Sequence, residues 1–234
     1  MTKTIAILAS GTGGHIYPAL SIAQEYIKSE ISEPILAISR GTKISQANVE
    51  NVFANRLDDL EACLKTIKGE QQLVWVNFKA SKTDSIISKV TVAELQKSFT
   101  TNFLPNFLAI KHLAPKMIPG KNGSFIFIDS AKAWIGEAGC LAYSSSKQSN
   151  SGLQKTAVKE LSRFGITCNT ICLSYVKTPM WHELQTSLKE SLLKEVPGKK
   201  FVDFHEINAT IRFLISNRII NGTKISLEKG LTDI

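Results

Sequence analysis

The sequence predicts an α/β protein: a doubly wound, mostly parallel sheet of about seven strands, with helices on both faces and three layers in all. Three observations carry this. Short, continuously apolar runs recur along the 234 residues, as parallel strands buried on both faces require. Stretches of helical period separate them, and no long linker intervenes. A glycine-rich turn, ASGTGGHIYPAL (9–20), follows the first apolar run at once, the place where such a sheet holds a phosphate.

The elements follow in order. TIAILA (4–9) is the first strand, and PALSIAQEYIKSE (18–30) a helix with Pro18 tolerated in its first turn. EPILAIS (33–39) and ENVFAN (50–55) are the second and third strands. LDDLEACLKTIKG (57–69) starts acidic and ends basic, which suits the helix dipole. QQLVWVNF (71–78) is the fourth strand. A long helical region over 89–117 is expected to break or kink at Pro105. GSFIFIDS (123–130) is the fifth strand, residues 141–165 a long helix with a stop glycine, and ITCNTICLS (166–174) the sixth strand. A lysine-rich stretch, 177–200, precedes a helix at 206–217 and a last strand, GTKISLE (222–228). A chain of this length is expected to form one domain over residues 1–234.

Composition excludes several classes. No apolar run reaches the roughly 18 residues a membrane helix needs. The basic residues behind the net charge of +8 are spread along the chain, with no arginine-rich block and no interleaved aromatics, which argues against a nucleic-acid interface. Cys63, Cys140, Cys168 and Cys172 show no CxxC pair, and the four histidines lie at no ligand spacing. A reduced cytoplasm and no metal site are expected.

Tyr143 and Lys147 lie four apart on the long helix and so share a face. A nearby ammonium favours the phenolate, which makes such a tyrosine a proton donor or acceptor near neutral pH. Alone the pattern is common on solvated helices. Here Ser130 ends a strand thirteen residues before Tyr143, and Asn102 lies 28 residues before Ser130. The spacing Asn102, Ser130, Tyr143, Lys147 resembles the catalytic tetrad of the short-chain dehydrogenase/reductase family. GITCNTICLSYVKTPM and ISLEKGLT are similar to its last two strand regions, and TTNFLPNFLAIKHLAPKM to its dimer-forming helix.

The resemblance implies a Rossmann-type fold and hydride transfer between NAD(P)H and a carbonyl or alcohol carbon. It makes Tyr143 the general acid/base, Ser130 the hydrogen-bond donor to the reacting oxygen, Lys147 the ribose ligand and Asn102 the holder of a relay water. Cofactor contacts are implied for Gly11, Gly14, Ile16, Arg40, Asn55, Asn77, Tyr143, Lys147 and Thr178. Arg40, with Lys43 close by, stands where an NAD enzyme has an acidic residue; a guanidinium suits a 2′-phosphate, so NADP is expected over NAD. The family implies a homodimer or homotetramer, a small-molecule substrate, and a mobile substrate lid over 177–200.

The cofactor frame departs from the family pattern. Where TGxxxGxG is expected the chain has Ser10, Gly11, then His15, Ile16 and Tyr17; only Gly11 is kept. NNAG appears as Asn77, Phe78, Lys79 and Ala80, and the Pro-Gly after the sixth strand as Leu173 and Ser174. Asn55 replaces the aspartate at the end of the third strand. An alternative is therefore a non-catalytic relative that binds or regulates a partner. The opening turn is also similar to the first loop of peptidoglycan glycosyltransferases that use UDP-N-acetylglucosamine, but nothing past residue 23 continues that likeness.

Overall fold

The computed structural model of the chain describes residues 3–8, 35–39, 49–54, 56–67, 72–78, 80, 85–176 and 185–231. Seven strands form one parallel sheet: β1 (Lys3–Leu8), β2 (Ile35–Ser39), β3 (Val49–Phe53), β4 (Gln72–Asn77), β5 (Gly123–Ser130), β6 (Ile166–Leu173) and β7 (Lys224–Leu227). Their order is β3-β2-β1-β4-β5-β6-β7. The chain winds outward from β1 in one direction and from β4 in the other. The carboxyl ends of β1 and β4, paired at Leu8 and Asn77, thus flank the crevice where doubly wound sheets bind ligands. The helix expected at 18–30 lies outside the described residues.

Seven helices are described: α1 (Leu57–Thr66), α2 (Val92–Asn102), α3 (Leu104–Met117), α4 (Ala131–Ile135), α5 (Leu141–Leu161), α6 (Thr186–Glu195) and α7 (Phe204–Ser216). Their ends follow from sequence. Thr91 and Glu94 cap α2 reciprocally, the Glu94 N–H donating to Thr91 Oγ1 at 3.2 Å and the Thr91 N–H to Glu94 Oε2 at 2.7 Å. Asp203 and Glu206 do the same for α7, at 3.1 Å each way. At the carboxyl end of α1 the free carbonyls of Leu64, Lys65 and Ile67 accept from Lys116 Nζ, at 2.9, 2.8 and 2.5 Å.

The long helical region does break, two residues before the expected place. The interruption is Phe103, and Pro105 falls in the first turn of α3. There its missing N–H costs nothing, because the first turn of a helix has no carbonyl to donate to. Proline starts the second helix here and does not kink it.

Alternation along the strands sorts the core into two layers. Trp75, Phe125 and Phe127 face α1, α3 and α5. Val74, Val76, Ile126, Ile128, Ile171 and Leu173 face Ile207, Ile211, Leu214 and Ile215 of α7. From β4 to β7 the chain steps one way along the sheet, yet α5 covers one face and α7 the other. The β6-α7-β7 crossover therefore has the opposite hand to β5-α5-β6, against the general right-handed preference. Among the described residues no helix is long and apolar enough to cross a membrane.

Candidate active site

The buried stripe of α5 is mostly polar: Ser146, Lys147, Asn150 and Gln154, with Ala142, Ala157 and Leu161. These positions recur at helical spacing, so the helix turns its polar groups inward. Each finds a partner. Lys147 is 4% exposed, and its Nζ donates to the Ile128 carbonyl at 2.8 Å. That hydrogen bond ties the amino-terminal half of α5 to the end of β5, two residues from Ser130. Tyr143, one turn earlier, is half-buried, as is Ser130. Among the described residues the Ser130 hydroxyl makes no hydrogen bond; the Ser130 N–H donates to Asp129 Oδ1 at 2.8 Å.

Asn102 ends α2 and is buried. Its Nδ2 donates to Ser146 Oγ at 2.8 Å, and Ser146 Oγ donates to the Tyr143 carbonyl, also at 2.8 Å. The Asn102 carbonyl accepts from Asn150 Nδ2 at 3.1 Å. Asn150 Oδ1 accepts from Asn106 Nδ2 at 2.9 Å, and Asn106 Oδ1 accepts from both Asn77 Nδ2 (2.9 Å) and Trp75 Nε1 (3.0 Å). A chain of buried amides thus runs from the end of β4, beside the crevice, through α3 and α2 to the Tyr143 turn of α5. The structure gathers Asn102, Tyr143, Lys147 and the Ser130 end of β5 around the start of α5, with Asn77 linked to them through Asn106 and Asn150. Gly11, Gly14, Ile16, Arg40, Asn55 and Thr178 lie outside the described residues.

Charge is concentrated next to Ser130. Asp129 is 4% exposed, and its Oδ2 accepts from Trp134 Nε1 at 3.0 Å. Burial pushes the Asp129 pKa up, and the Lys147 ammonium opposes this most strongly. Burial pushes the Lys147 pKa down, and Asp129 is the first group opposing it. Burial, with Asp129 and Glu228 nearby, pushes the Cys172 thiol up to about 12. Cys140, three residues before Tyr143, is buried and donates to Glu137 Oε2 at 3.4 Å.

The Lys147 ammonium has three N–H donors. Only one finds an acceptor among the described residues, the Ile128 carbonyl. A buried ammonium with donors unspent fits a ligand that brings hydroxyl oxygens, such as a nucleotide ribose, and the free Ser130 hydroxyl fits a carbonyl oxygen.

A family model described as Enoyl-(Acyl carrier protein) reductase matches residues 43–232. The chain belongs to the short-chain dehydrogenase/reductase family. Within this short-chain dehydrogenase/reductase family it is similar to 3-oxoacyl-[acyl-carrier-protein] reductase FabG of Staphylococcus aureus, at 26% identity, with 99% of this chain and 98% of that protein covered. FabG of Staphylococcus epidermidis is 29% identical over 68% of this chain and 66% of its own length. BbsD, a subunit of (2S)-[(R)-hydroxy(phenyl)methyl]succinyl-CoA dehydrogenase of Thauera aromatica, is 30% identical over 60% of this chain and 56% of its own. Among solved structures, ElxO with NADP bound superimposes with a TM-score of 0.86 at 21% identity, covering 99% of both chains. That likeness shows the short-chain dehydrogenase/reductase fold. The family match begins past residue 42, so it leaves out the altered glycine turn and Arg40.

Asp129, Asn106 and Asn150 were absent from the sequence-derived site. A charge closing the apolar run FIFIDS was a readable signal for Asp129. Asn106 and Asn150 gave none, since a polar residue on a helix reads first as its wet face.

Proposed function

We propose that this oxidoreductase-family chain is an NADPH-dependent reductase that transfers hydride to a carbonyl carbon, or runs the reverse reaction on an alcohol. Tyr143 gives its phenolic proton to the carbonyl oxygen or takes the alcohol proton, and the Ser130 hydroxyl donates to that oxygen. Lys147 would hold the nicotinamide ribose hydroxyls with the N–H donors that find no acceptor among the described residues, and its charge would favour the Tyr143 phenolate. Asn102, by the family resemblance, holds the relay water. By the family resemblance Gly11, Gly14 and Ile16 would hold the pyrophosphate, Arg40 the 2′-phosphate, Asn55 and Asn77 the nucleoside end, and Thr178 the carboxamide. When bound, NADPH supplies the hydride. The unit acts over residues 1–234, with 177–200 as its lid, in the cytoplasm and as a homodimer or homotetramer.

The observation that carries this reading is the seat of Lys147 on the Ile128 carbonyl, one helical turn from Tyr143 and two residues along β5 from Ser130. The names of the FabG and BbsD relatives both specify acyl thioesters, so a 3-oxoacyl thioester is the first substrate to assay. An NADPH fluorescence titration tests cofactor use: micromolar binding is expected. No binding at millimolar cofactor would instead assign the chain a binding or regulatory role, which the altered Tyr17 and Lys79 positions favour. Tyr143→Phe should keep NADPH binding and lose turnover by about 10²-fold or more; unchanged turnover would remove Tyr143 from the mechanism.

A further inference from the structure

Asp129 is a buried carboxylate that closes the apolar run Phe125–Ile128 of β5, immediately before Ser130. Alternation along β5 turns it to the α5 face, with Phe125 and Phe127 and away from Ser130. Its two oxygens accept from neutral donors, the Ser130 N–H at 2.8 Å and the Trp134 indole at 3.0 Å. The charged and titratable groups facing it are Lys147 from α5, Cys172 from β6, and Lys224 and Glu228 from β7 and its end. Cys172 is its register partner across the sheet. Lys224 Nζ is buried, has no hydrogen-bond partner among the described residues, and sits 3.3 Å from the centre of the Trp134 ring. The Lys147 ammonium is anchored to the carbonyl of Ile128, the residue before Asp129.

A lone buried ammonium is costly, and it survives only with a compensating charge. Cys172 offers none, since a thiol pushed up to about 12 is neutral near pH 7. Trp134 holds both ends of the arrangement, donating to Asp129 through its edge and receiving Lys224 on its ring face. We propose that Asp129 is a positioning residue for the redox site, the buried counter-ion that seats the Lys147 ammonium between α5 and the carboxyl end of β5.

The inference rests on the reading of Tyr143 and Lys147 as the proton-transfer pair. Burial drives Lys147 toward its neutral form, and Asp129 is the largest influence against that. A neutral Lys147 gives Tyr143 no electrostatic help. Asp129 therefore sets the upper end of the pH range in which the pair works.

The test is the titration of Lys147 in the full-length apoprotein, followed by NMR of ¹³Cε-labelled lysine, with Lys147→Met to assign the signal. Asp129→Asn keeps an acceptor oxygen for the indole and removes the charge. It should lower the Lys147 titration midpoint by about one unit or more. Trp134→Phe keeps the carboxylate and removes one donor to it, and should shift the midpoint the same way by less. In Asp129→Asn, reductase turnover should fall off at the pH where its Lys147 loses the proton. An unchanged Lys147 midpoint in both variants overturns the proposal. The NADPH titration is a separate readout, so failure of the redox reading is distinguishable from failure of the counter-ion.

Discussion

Asn150 makes three hydrogen bonds with one side chain: it accepts from Asn106 and donates to the carbonyls of Asn102 and Lys147. It is buried, as are its partners Asn102, Asn106 and Lys147. Losing one member of such a set leaves the others desolvated without compensation, which is where the energetic cost of a buried hydrogen bond lies. Asn150→Val removes no volume to speak of but takes the acceptor from Asn106 Nδ2 and one donor from each of the Asn102 and Lys147 carbonyls. We expect it to lower unfolding free energy by about 1–3 kcal/mol, read from urea denaturation. A stability equal to the parent's would mean that water replaces the amide. The same variant removes the Asn150 donor from the Asn102 carbonyl beside the Tyr143 turn, so stability and turnover need not fall together.

At the scale of elements, reciprocal caps fix where α2 and α7 begin, and one of them carries a testable charge. Glu206 accepts from Lys229 Nζ at 2.8 Å as well as from the Asp203 N–H. The Lys229 hydrogen bond, then the Asp203 N–H, hold its carboxyl below the usual range despite some burial. A carboxylate with a depressed native pKa stabilises the fold above its unfolded value of about 4.3 and loses that contribution as pH falls through the native value. Glu206→Gln should therefore be less stable than the parent at pH 7, by at most about 1 kcal/mol because the pair is partly solvated. The gap should close on acidification below about pH 4. A gap that persists in acid would assign the effect to cap geometry and not to charge.

Elements also show what the sequence makes legible. The seven strands stand within a few residues of their expected places, because continuously apolar runs bounded by turns have few other uses. The break near Pro105 was readable as a break but not as a helix start; a proline marks both, and only the backbone at Phe103 decides. α4 is five residues long, too short for a period to develop. α6 lies in the lysine-rich stretch with no side-chain cap to announce it. In the site, Tyr143 and Lys147 were legible from spacing. Their supports were not, because the inward stripe of α5 is polar and hydropathy assigns polar stripes to water.

At the scale of the molecule, all four cysteines of the chain are buried and none is bonded to another. Cys63 is on the buried side of α1, Cys168 in the layer beneath α5, Cys140 immediately before α5 and Cys172 near the carboxyl end of β6. Desolvation pushes the Cys168 and Cys172 thiols up, so both the thiolate fraction and the access are small. Labelling by iodoacetamide at pH 8 should be slow at every site. The rates for Cys168 and Cys172 should rise together with added urea, since both sit in β6 and open only with the sheet. Fast labelling of Cys172 alone would show that the β6-β7 end opens independently of the rest.

The crossover of reversed hand has a consequence for biosynthesis. The apolar surface of β4, β5 and β6 that carries Val74, Val76, Ile126, Ile128, Ile171 and Leu173 is covered by α7, and α7 is translated after all three strands. The opposite surface can receive α1, α3 and α5 as each is made. Among the described residues, those made before the end of β6 cover one side of these strands and leave the α7 side apolar and bare. For the seconds that a ribosome needs to add the residues through α7, that bare sheet is a natural substrate for a holding chaperone.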